Sequence, residues 1–228
     1  MKTPICYKII VLAAMFLILL PAVVFSYDNL LNNPSFSDGI TGWSLWSTVD
    51  EEDVTVAQSG LGEIFYNTPP YSLEVWSDAY WDYATAGAWQ NFSVSPSQSS
   101  TYYASSFLRS FSDEALRDGA EAWLALKWYD SNGAQLGDAI TSPHLVSFND
   151  EWQSFQVSGE SPLEAVEGRI ELRMYDPGMS GSLRSVYFDD VRVGLEQPTT
   201  VPEPVSTLLF ISGGATLITR RFSRKNKK

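Results

Sequence analysis

Residues Glu121–Tyr129 have the sequence EAWLALKWY, and this stretch decides the fold class of the chain. Because successive side chains of a β-strand point to opposite faces, an apolar–polar alternation predicts a strand with one buried and one exposed face. Alternate positions here form an apolar face of Ala122, Leu124, Leu126 and Trp128, and a more polar face that includes Glu121, Trp123, Lys127 and Tyr129.

Six further runs between residues 72 and 193 show the same period, and clusters of Gly, Pro, Ser, Asn and Asp separate them. No segment keeps a 3.6-residue apolar period, and the best helical candidate is the short stretch Asp113–Asp118. We therefore predict an all-β domain, a β-sandwich or jelly roll. The six runs are Ser72–Trp76, Ala88–Val94, Tyr102–Arg109, Trp152–Val157, Arg169–Tyr175 and Val186–Val193.

Charge is distributed unevenly along the 228 residues, whose net charge is −12. Residues 27–200 hold seven basic and 26 acidic residues, so this body carries −19, whereas residues 220–228 hold six basic residues and no acidic one. A body this acidic repels a phosphate backbone, so nucleic acid is not an expected partner. The segregation indicates a processed chain that crosses a membrane.

The N-terminus predicts a secretory signal peptide over residues 1–26. Lys2 and Lys8 precede the apolar run Ile9–Leu20, and small residues follow up to Ser26, where we expect signal peptidase to cleave. The alternative is a signal anchor that stays uncut. Cys6, the only cysteine, lies inside this predicted N-terminal signal helix, so the mature protein would have no thiol and no disulfide.

The C-terminus combines a Pro202-Glu203-Pro204 motif, an apolar segment over 205–219 and a basic tail over 220–228 that begins with Arg220-Arg221. This apolar segment of 15 residues predicts a short transmembrane helix, since a stable span prefers about 20 residues. The basic tail would stay cytoplasmic and leave the body outside. The short span makes a plain tail anchor the less favoured alternative.

Residues 201–228 resemble the PEP-CTERM sorting signal of Gram-negative bacteria, with residues 197–200 as a linker. The resemblance implies recognition by an exosortase, a membrane transpeptidase-like enzyme that cuts near the motif. It also implies export across the inner membrane, a transient membrane anchor, and a final place at the cell surface or in the extracellular matrix of a bacterium that makes exopolysaccharide and biofilm.

Residues 27–196 resemble the jelly-roll carbohydrate-binding modules of bacteria, within the galactose-binding-like sandwiches. The resemblance is carried by Asn29–Phe36 with Gly42-Trp43 as the opening strand, and by Val186–Val193 as the closing strand. It implies a sandwich with a sugar-binding surface. The wider fold group includes many proteins that bind no sugar, so the fold does not settle the function.

A structural Ca²⁺ site is a further implication of this resemblance. Period two in the closing strand predicts that Asp189 shares the apolar face of Val191, and a carboxylate that faces a core must be paired or bind a cation. The family places Ca²⁺ there, with a Glu after the opening-strand Phe. Here Ser37 follows Phe36, so Asp38 is the candidate second ligand. The alternative is that Asp189 caps a turn or pairs with an arginine.

Sugar sites combine aromatic rings, which stack on C–H faces, with planar hydrogen-bonding groups. Strand parity and one aromatic loop supply candidates for both, although any single tryptophan is more often structural than a ligand platform. The predicted ligand residues are Trp76, Trp81, Trp89, Asn91, Trp123, Tyr129, Glu171 and Arg173.

We predict an exported module that binds glycan, with exopolysaccharide as the expected ligand, and we predict no enzyme activity. His144 is the only histidine and lacks the partners of a triad or a zinc site. The alternatives are a structural matrix or adhesion protein without a sugar site, and a small polysaccharide hydrolase or lyase built on two carboxylates. The acidic body favours a neutral glycan, or contact with an acidic one through Ca²⁺.

Overall fold

The computed structural model describes residues 28–48, 54–59, 67, 71–77, 83–178 and 183–195, with residues 54–59 described by their backbone. The described residues form β-strands and no α-helix, which confirms the all-β class. The predicted signal peptide, linker and sorting signal lie outside these ranges and stay predictions. None of the described residues belongs to a helix long and apolar enough to cross a membrane.

The strands follow the sequence periodicity. β6 has the predicted bounds, and β3, β4, β5, β8, β9 and β10 contain or overlap the other six predicted runs. The helical candidate Asp113–Asp118 forms turns instead. The strands are β1 Ser44–Ser47, β2 Val54–Ser59, β3 Ser72–Ser77, β4 Ala84–Ser93, β5 Thr101–Arg109, β6 Glu121–Tyr129, β7 Ile140–Thr141, β8 Gln153–Glu160, β9 Glu167–Asp176 and β10 Arg184–Gly194.

Two five-stranded antiparallel sheets form the sandwich. Sheet A has the order β1-β4-β9-β6-β7, and sheet B has the order β2-β3-β10-β5-β8. The chain changes sheet at seven of the nine connections between the described strands, all except β2–β3 and β6–β7, as in jelly-roll sandwiches. Each sheet therefore has one face toward the other sheet and one outer face.

The core lies between the sheets and uses the alternate apolar positions of each strand. Leu124 of sheet A and Leu73 of sheet B are both 0% exposed. The Trp128 ring centroid lies 6.0 Å from Phe92 of its own sheet and 5.3 Å from Tyr102 of the opposite sheet. Burial of each large side chain contributes about 1.5–3 kcal/mol, so the core fixes the strands that carry the outer faces.

Residues 28–43 form turns and bends, not the opening strand that the resemblance implies. The Leu30 N–H donates to the Val193 carbonyl at 2.9 Å, and two side chains add further hydrogen bonds to the sheets. Asn29 Oδ1 accepts from the backbone N–H of Val193 at 3.0 Å. Gln90 Oε1 accepts from the backbone N–H of Asn32 at 2.6 Å, and its Nε2 donates to the Asn32 carbonyl at 2.9 Å. The segment is thus tied to both sheets before it enters β1.

Candidate functional site

The outer face of sheet A carries aromatic and charged side chains in register. One row across β1, β4, β9 and β6 places Trp46, Gly87, Arg173 and Trp123 side by side. Side chains opposite one another in antiparallel strands have Cβ atoms about 4.5–5.5 Å apart, so neighbours in such a row interact. We call this surface the sheet A face, with the members Trp46, Trp89, Asn91, Trp123, Lys127, Tyr129, Glu167, Arg169, Glu171 and Arg173.

Arg173 lies between two indole rings of the sheet A face. Its Cζ is 5.1 Å from the ring centroid of Trp46 and 5.3 Å from that of Trp123. Gly87 separates Trp46 from Arg173 in the register, and a Cβ at this glycine would lie 1.8 Å from the Leu172 carbonyl oxygen. Because glycine has no Cβ, β9 can approach β4 closely at this point, and no side chain lies between the Trp46 ring and Arg173.

Several donors in the Arg173 row have no acceptor among the described residues. The nearest carboxylate oxygen to Arg173 Nε is Glu171 Oε2 at 3.7 Å, which is an ion pair without a hydrogen bond. The indole Nε1 atoms of Trp46 and Trp123 likewise have no acceptor within the described part of the chain. A quarter of the Arg173 side chain (25%) is exposed, so solvent or a ligand can reach it.

Arg169 occupies an equivalent place between Trp89 and Tyr129. Its Cζ lies 3.8 Å from the Trp89 centroid and 4.7 Å from the Tyr129 centroid. Its Nε donates to Asn91 Oδ1 at 2.8 Å, and Asn91 Nδ2 donates to Glu167 Oε1 at 2.6 Å. The rings take the faces of the guanidinium and Asn91 takes one edge, so the terminal N–H groups are the ones left for other contacts.

Glu171 is the buried carboxylate at the centre of the sheet A face. It is 5% exposed, and Lys127 Nζ lies 2.8 Å from its Oε1. A carboxylate buried to this extent needs a paired cation, and Lys127 supplies it. Burial raises the pKa of the nearby Tyr129 hydroxyl, the Arg169 charge opposes the rise, and the Glu171 charge adds to it. The phenol therefore stays a hydrogen-bond donor at neutral pH.

His144 covers one end of the sheet A face. Leu145 and Ala122 exchange both backbone hydrogen bonds, at 2.8 and 2.9 Å, so the loop after β7 runs back along β6. This places the imidazole parallel to the Trp123 ring, with centroids 4.5 Å apart and an interplanar angle of 10°. His144 Nδ1 also donates to Glu121 Oε2 at 2.9 Å. Trp123 is 9% exposed as a result.

The structure brings together six of the eight ligand residues predicted from the sequence. Trp76 is not among them, because it lies on β3 of sheet B opposite Ser185 in the register, and the outer faces of the two sheets point away from each other. Trp81 lies outside the described residues. The six on the sheet A face are Trp89, Asn91, Trp123, Tyr129, Glu171 and Arg173.

The sequence-based prediction omitted four members of the sheet A face. Lys127, Glu167 and Arg169 carried a usable signal, because their parity on β6 and β9 places them outward. Trp46 carried none. The strand β1 has four residues, too few to show a period, and the position of Trp46 follows from pairing with β4.

Asp189, the first predicted metal ligand, lies on the outer face of sheet B. The register of β10 against β5 shifts between Asp189 and Arg192, and Asp190 has a φ of 49° within this bulge. A bulge reverses the alternation of a strand. Tyr187 and Asp189 therefore point outward, whereas Val191 beyond Asp189 is in the core, and the predicted shared face of Asp189 and Val191 is wrong.

The described donors do not fit a Ca²⁺ ion around Asp189. Asp189 Oδ2 accepts from the backbone N–H of Asn67 at 2.8 Å, and Oδ1 accepts from that of Asp190 at 2.7 Å. Asp38 is exposed, and its N–H donates to Asn33 Oδ1 within its own turn. No group of three or more His, Cys, Asp or Glu residues in the described ranges forms a metal site, whereas Ca²⁺ takes six to eight oxygens. The calcium ion stays a prediction.

Acidic groups gather on the outer face of sheet B. Tyr187 donates to Glu74 Oε1 at 2.9 Å, and Ser185 Oγ donates to Glu114 Oε2 at 2.5 Å. Burial raises the pKa of Glu74, the Tyr187 hydrogen bond opposes the rise, and the Glu114 charge adds to it. Burial also raises the pKa of Tyr187, and the Glu74 charge adds to this rise.

The sandwich is similar to solved carbohydrate-binding modules. The structure of TmCBM61 in complex with β-1,4-galactotriose matches with a TM-score of 0.52 and 15% identity, over 74% of this chain and 99% of that one. The CBM22-1 xylan-binding domain from Paenibacillus barcinonensis Xyn10C matches with a TM-score of 0.51 and 17% identity, over 76% and 97%.

The same sandwich also occurs in a different setting. The enzymatically active domain of bacteriophage CBA120 tailspike protein 4 matches with a TM-score of 0.51 and 16% identity, over 74% of this chain and 21% of that one. No protein-family model and no curated protein sequence matches the chain. The structural matches confirm the jelly-roll sandwich of carbohydrate-binding-module type, and at these identities they establish the fold alone.

Proposed function

We propose that this protein is a non-catalytic glycan-binding module and that the sheet A face is its sugar-binding surface. One observation supports the proposal most. Six residues selected from the sequence for sugar-binding chemistry, and spread between Trp89 and Arg173 in the chain, meet on a single face. The carbohydrate-binding-module type of fold agrees with this proposal.

The chemistry of the sheet A face suits sugar hydroxyls. A hydroxyl both donates and accepts, and planar amide, carboxylate and guanidinium groups meet it from either side. Asn91 and Glu171 are fixed by hydrogen bonds or ion pairs to Arg169 and Lys127, so little side-chain entropy is lost on binding. The only histidine, His144, is engaged by Trp123 and Glu121, which supports a binding role rather than catalysis.

We also propose that the protein is exported, processed by exosortase, and retained at the cell surface or in the matrix, where exopolysaccharide is its ligand. The order of Pro202-Glu203-Pro204, the apolar segment 205–219 and Arg220-Arg221 supports this proposal. Mass spectrometry of the protein on cells tests it. The C-terminal RRFSRKNKK peptide should be absent, and its presence on the mature protein would show that no processing occurs.

A glycan array on the purified protein tests the binding function, with two tryptophan variants as a matched pair. Trp89→Ala removes the ring against Arg169 and should abolish most of the response. Trp76→Ala changes an equal side chain on sheet B and should leave the response unchanged. Failure of the wild-type protein to bind any glycan would favour a structural matrix or adhesion role. Loss of binding in Trp76→Ala alone would move the site to sheet B.

A further inference from the structure

We infer that the glycan recognised by the sheet A face is acidic, with the carboxylates of uronic acid residues held at Arg173 and Arg169. This inference rests on the proposed function and names its ligand class. It departs from the expectation drawn from net charge, which favoured a neutral glycan or contact through Ca²⁺.

The local charge of the sheet A face differs from the net charge of the body. Residues 27–200 carry −19, yet three of their seven basic residues lie on the sheet A face. The acidic side chains on the same outward side, Glu121, Glu167 and Glu171, balance the three basic ones, so the face has no net charge, in contrast to the acidic body. At about 0.15 M salt the Debye length is about 8 Å, so a bound group experiences the nearby guanidinium groups more strongly than the distant acidic residues. Net charge is therefore a poor guide to what this face binds.

One face of the Trp89 ring and one face of the Trp123 ring are already occupied by other side chains. The Arg169 Cζ lies 3.8 Å from the Trp89 centroid, and the His144 ring stacks on Trp123 at 4.5 Å. Stacking on the C–H face of a sugar, the usual source of affinity for a neutral glycan, would have to displace these contacts. The groups still available for new contacts are the N–H edges of the arginines.

Arg173 presents part of its guanidinium to solvent. Its Nε is buried and has no acceptor among the described residues, while the side chain, held between Trp46 and Trp123, is 25% exposed through its other atoms. A planar guanidinium matches a carboxylate through two parallel hydrogen bonds, a contact stronger than one with a neutral hydroxyl. The carboxylate of a uronate suits the exposed part of this guanidinium.

The spacing of the two arginines indicates a polymer. Arg169 and Arg173 are four residues apart on β9, which corresponds to about 13 Å along a strand. Glu171 lies between them and already pairs with Lys127, so no free cation is available there for a carboxylate placed midway. The face therefore suits a chain whose carboxylates fall at both ends of the contact, rather than a single sugar acid.

Calorimetric titration with oligogalacturonate tests the inference, at about 0.15 M salt and with EDTA present. The same oligosaccharide with its carboxylates methyl-esterified is the neutral match. We expect the acidic form to bind, and the ester to bind at least about tenfold more weakly, since a hydrogen bond to a charged group is worth more than a neutral one. Binding in EDTA is expected because the contact is direct.

Variants of opposite expected sign sharpen the test. Arg173→Gln and Arg173→Lys should both weaken binding of the acidic form, by about 10-fold to 100-fold for Gln and less for Lys, which keeps the charge but loses the planar fork. Arg192→Gln is the control, because it makes the same change in net charge on sheet B. Glu171→Gln should strengthen binding about threefold, because it leaves the Lys127 charge unpaired on the face. Circular dichroism would confirm that each variant is folded.

The possible failures are distinguishable. If a neutral oligosaccharide binds in a Trp89-dependent way and oligogalacturonate does not, the inference is wrong and the proposed function stands. If no glycan binds, both are wrong. Equal weakening by Arg173→Gln and Arg192→Gln, or equal affinity for dextran sulfate, would show general attraction of polyanions and overturn the inference. Loss of binding in EDTA would replace the direct contact by one through Ca²⁺.

Discussion

The two outer faces of this sandwich arrange charged groups differently, although sheet B also has one arginine over a ring, with Arg109 Cζ 4.2 Å from the Phe111 centroid. On the sheet A face, Arg169 and Arg173 lie between aromatic rings. On the outer face of sheet B, the carboxylates of Glu74, Glu114 and Asp189 are held by hydroxyl or backbone donors. The same strand periodicity produces both faces, so the difference comes from which residues occupy the outward positions.

The comparison indicates where ligand recognition belongs. An acidic protein that places nearly half of its few basic residues on one face keeps that face suited to anionic or hydrogen-bonding ligands. The sheet B face has raised pKa values at Glu74 and Tyr187, which burial causes. The first face has donors with unused capacity, and the second has carboxylates that already accept hydrogen bonds from protein donors.

The largest effect is expected at the joint between the sheets. Arg184 at the start of β10 is 0% exposed and pairs with Asp176 at the end of β9, with Nη1 to Oδ1 at 2.5 Å. Arg184→Met should lower the free energy of unfolding by about 3–5 kcal/mol, because it leaves a buried carboxylate without its cation. Urea denaturation measures this. The exposed Arg117→Met is the control, with an expected change below about 0.5 kcal/mol.

Gly87→Ala should have the next largest effect on stability, and it tests the sheet A face separately from the outer face of sheet B. Its Cβ would meet the Leu172 carbonyl oxygen at 1.8 Å, so β4 and β9 must move apart. We expect a loss of about 1–3 kcal/mol or more and a weakened glycan response, since Trp46 and Arg173 are displaced together. Ser93→Ala, on the same strand and exposed, is the matched control. An unchanged Tm for Gly87→Ala would contradict the packing of this row.

Glu74→Gln tests the sheet B face through pH. The folded pKa of Glu74 lies above its usual 4.5, so the folded state binds the proton more tightly than the unfolded state. Glu74 therefore costs stability as pH rises through and above this range, and the cost is absent below 4.5. The variant should match the wild-type Tm in acid and exceed it at pH 7, and Glu164→Gln, the same substitution at an exposed position, is the matched control. A lower Tm for Glu74→Gln at pH 7 would contradict this.

The smallest effect is expected from EDTA. The resemblance implies Ca²⁺ at Asp189, but the N–H groups of Asn67 and Asp190 already satisfy this carboxylate. We therefore expect Tm to fall by no more than about 2 °C, which is below 1 kcal/mol for a domain of this size. A larger fall, reversed by added Ca²⁺, would establish the ion and show that further donors complete its site.

Period-two alternation predicted most of the fold and much of the site. It predicted the bounds of β6 and the outward positions of Trp89, Trp123 and Arg173, because the side chains of a regular strand alternate strictly between its two faces. The alternation also predicted the face of Asp189, and there it was wrong, because the bulge at Asp190 interrupts the parity. A local φ of 49° leaves no periodic signal in the sequence.

Contacts between segments that are distant in the chain could not be predicted from the sequence. His144 stacks on Trp123 only because residues 142–145 pair with β6, and Trp46 meets Arg173 only because β1 pairs with β4 across Gly87. Both contacts depend on strand order, which local patterns do not specify. They decide the chemistry of the site, since they occupy the ring faces that would otherwise stack on a sugar.

The central claim is that the sheet A face, and not the outer face of sheet B, binds the glycan. The indole N–H signals of the eight tryptophans test it in one NMR titration with the glycan that binds best on the array. We predict that the signals of Trp46, Trp89 and Trp123 shift as the ligand is added, while that of Trp76 stays in place. A shift at Trp76 with no change at the other three would contradict the account.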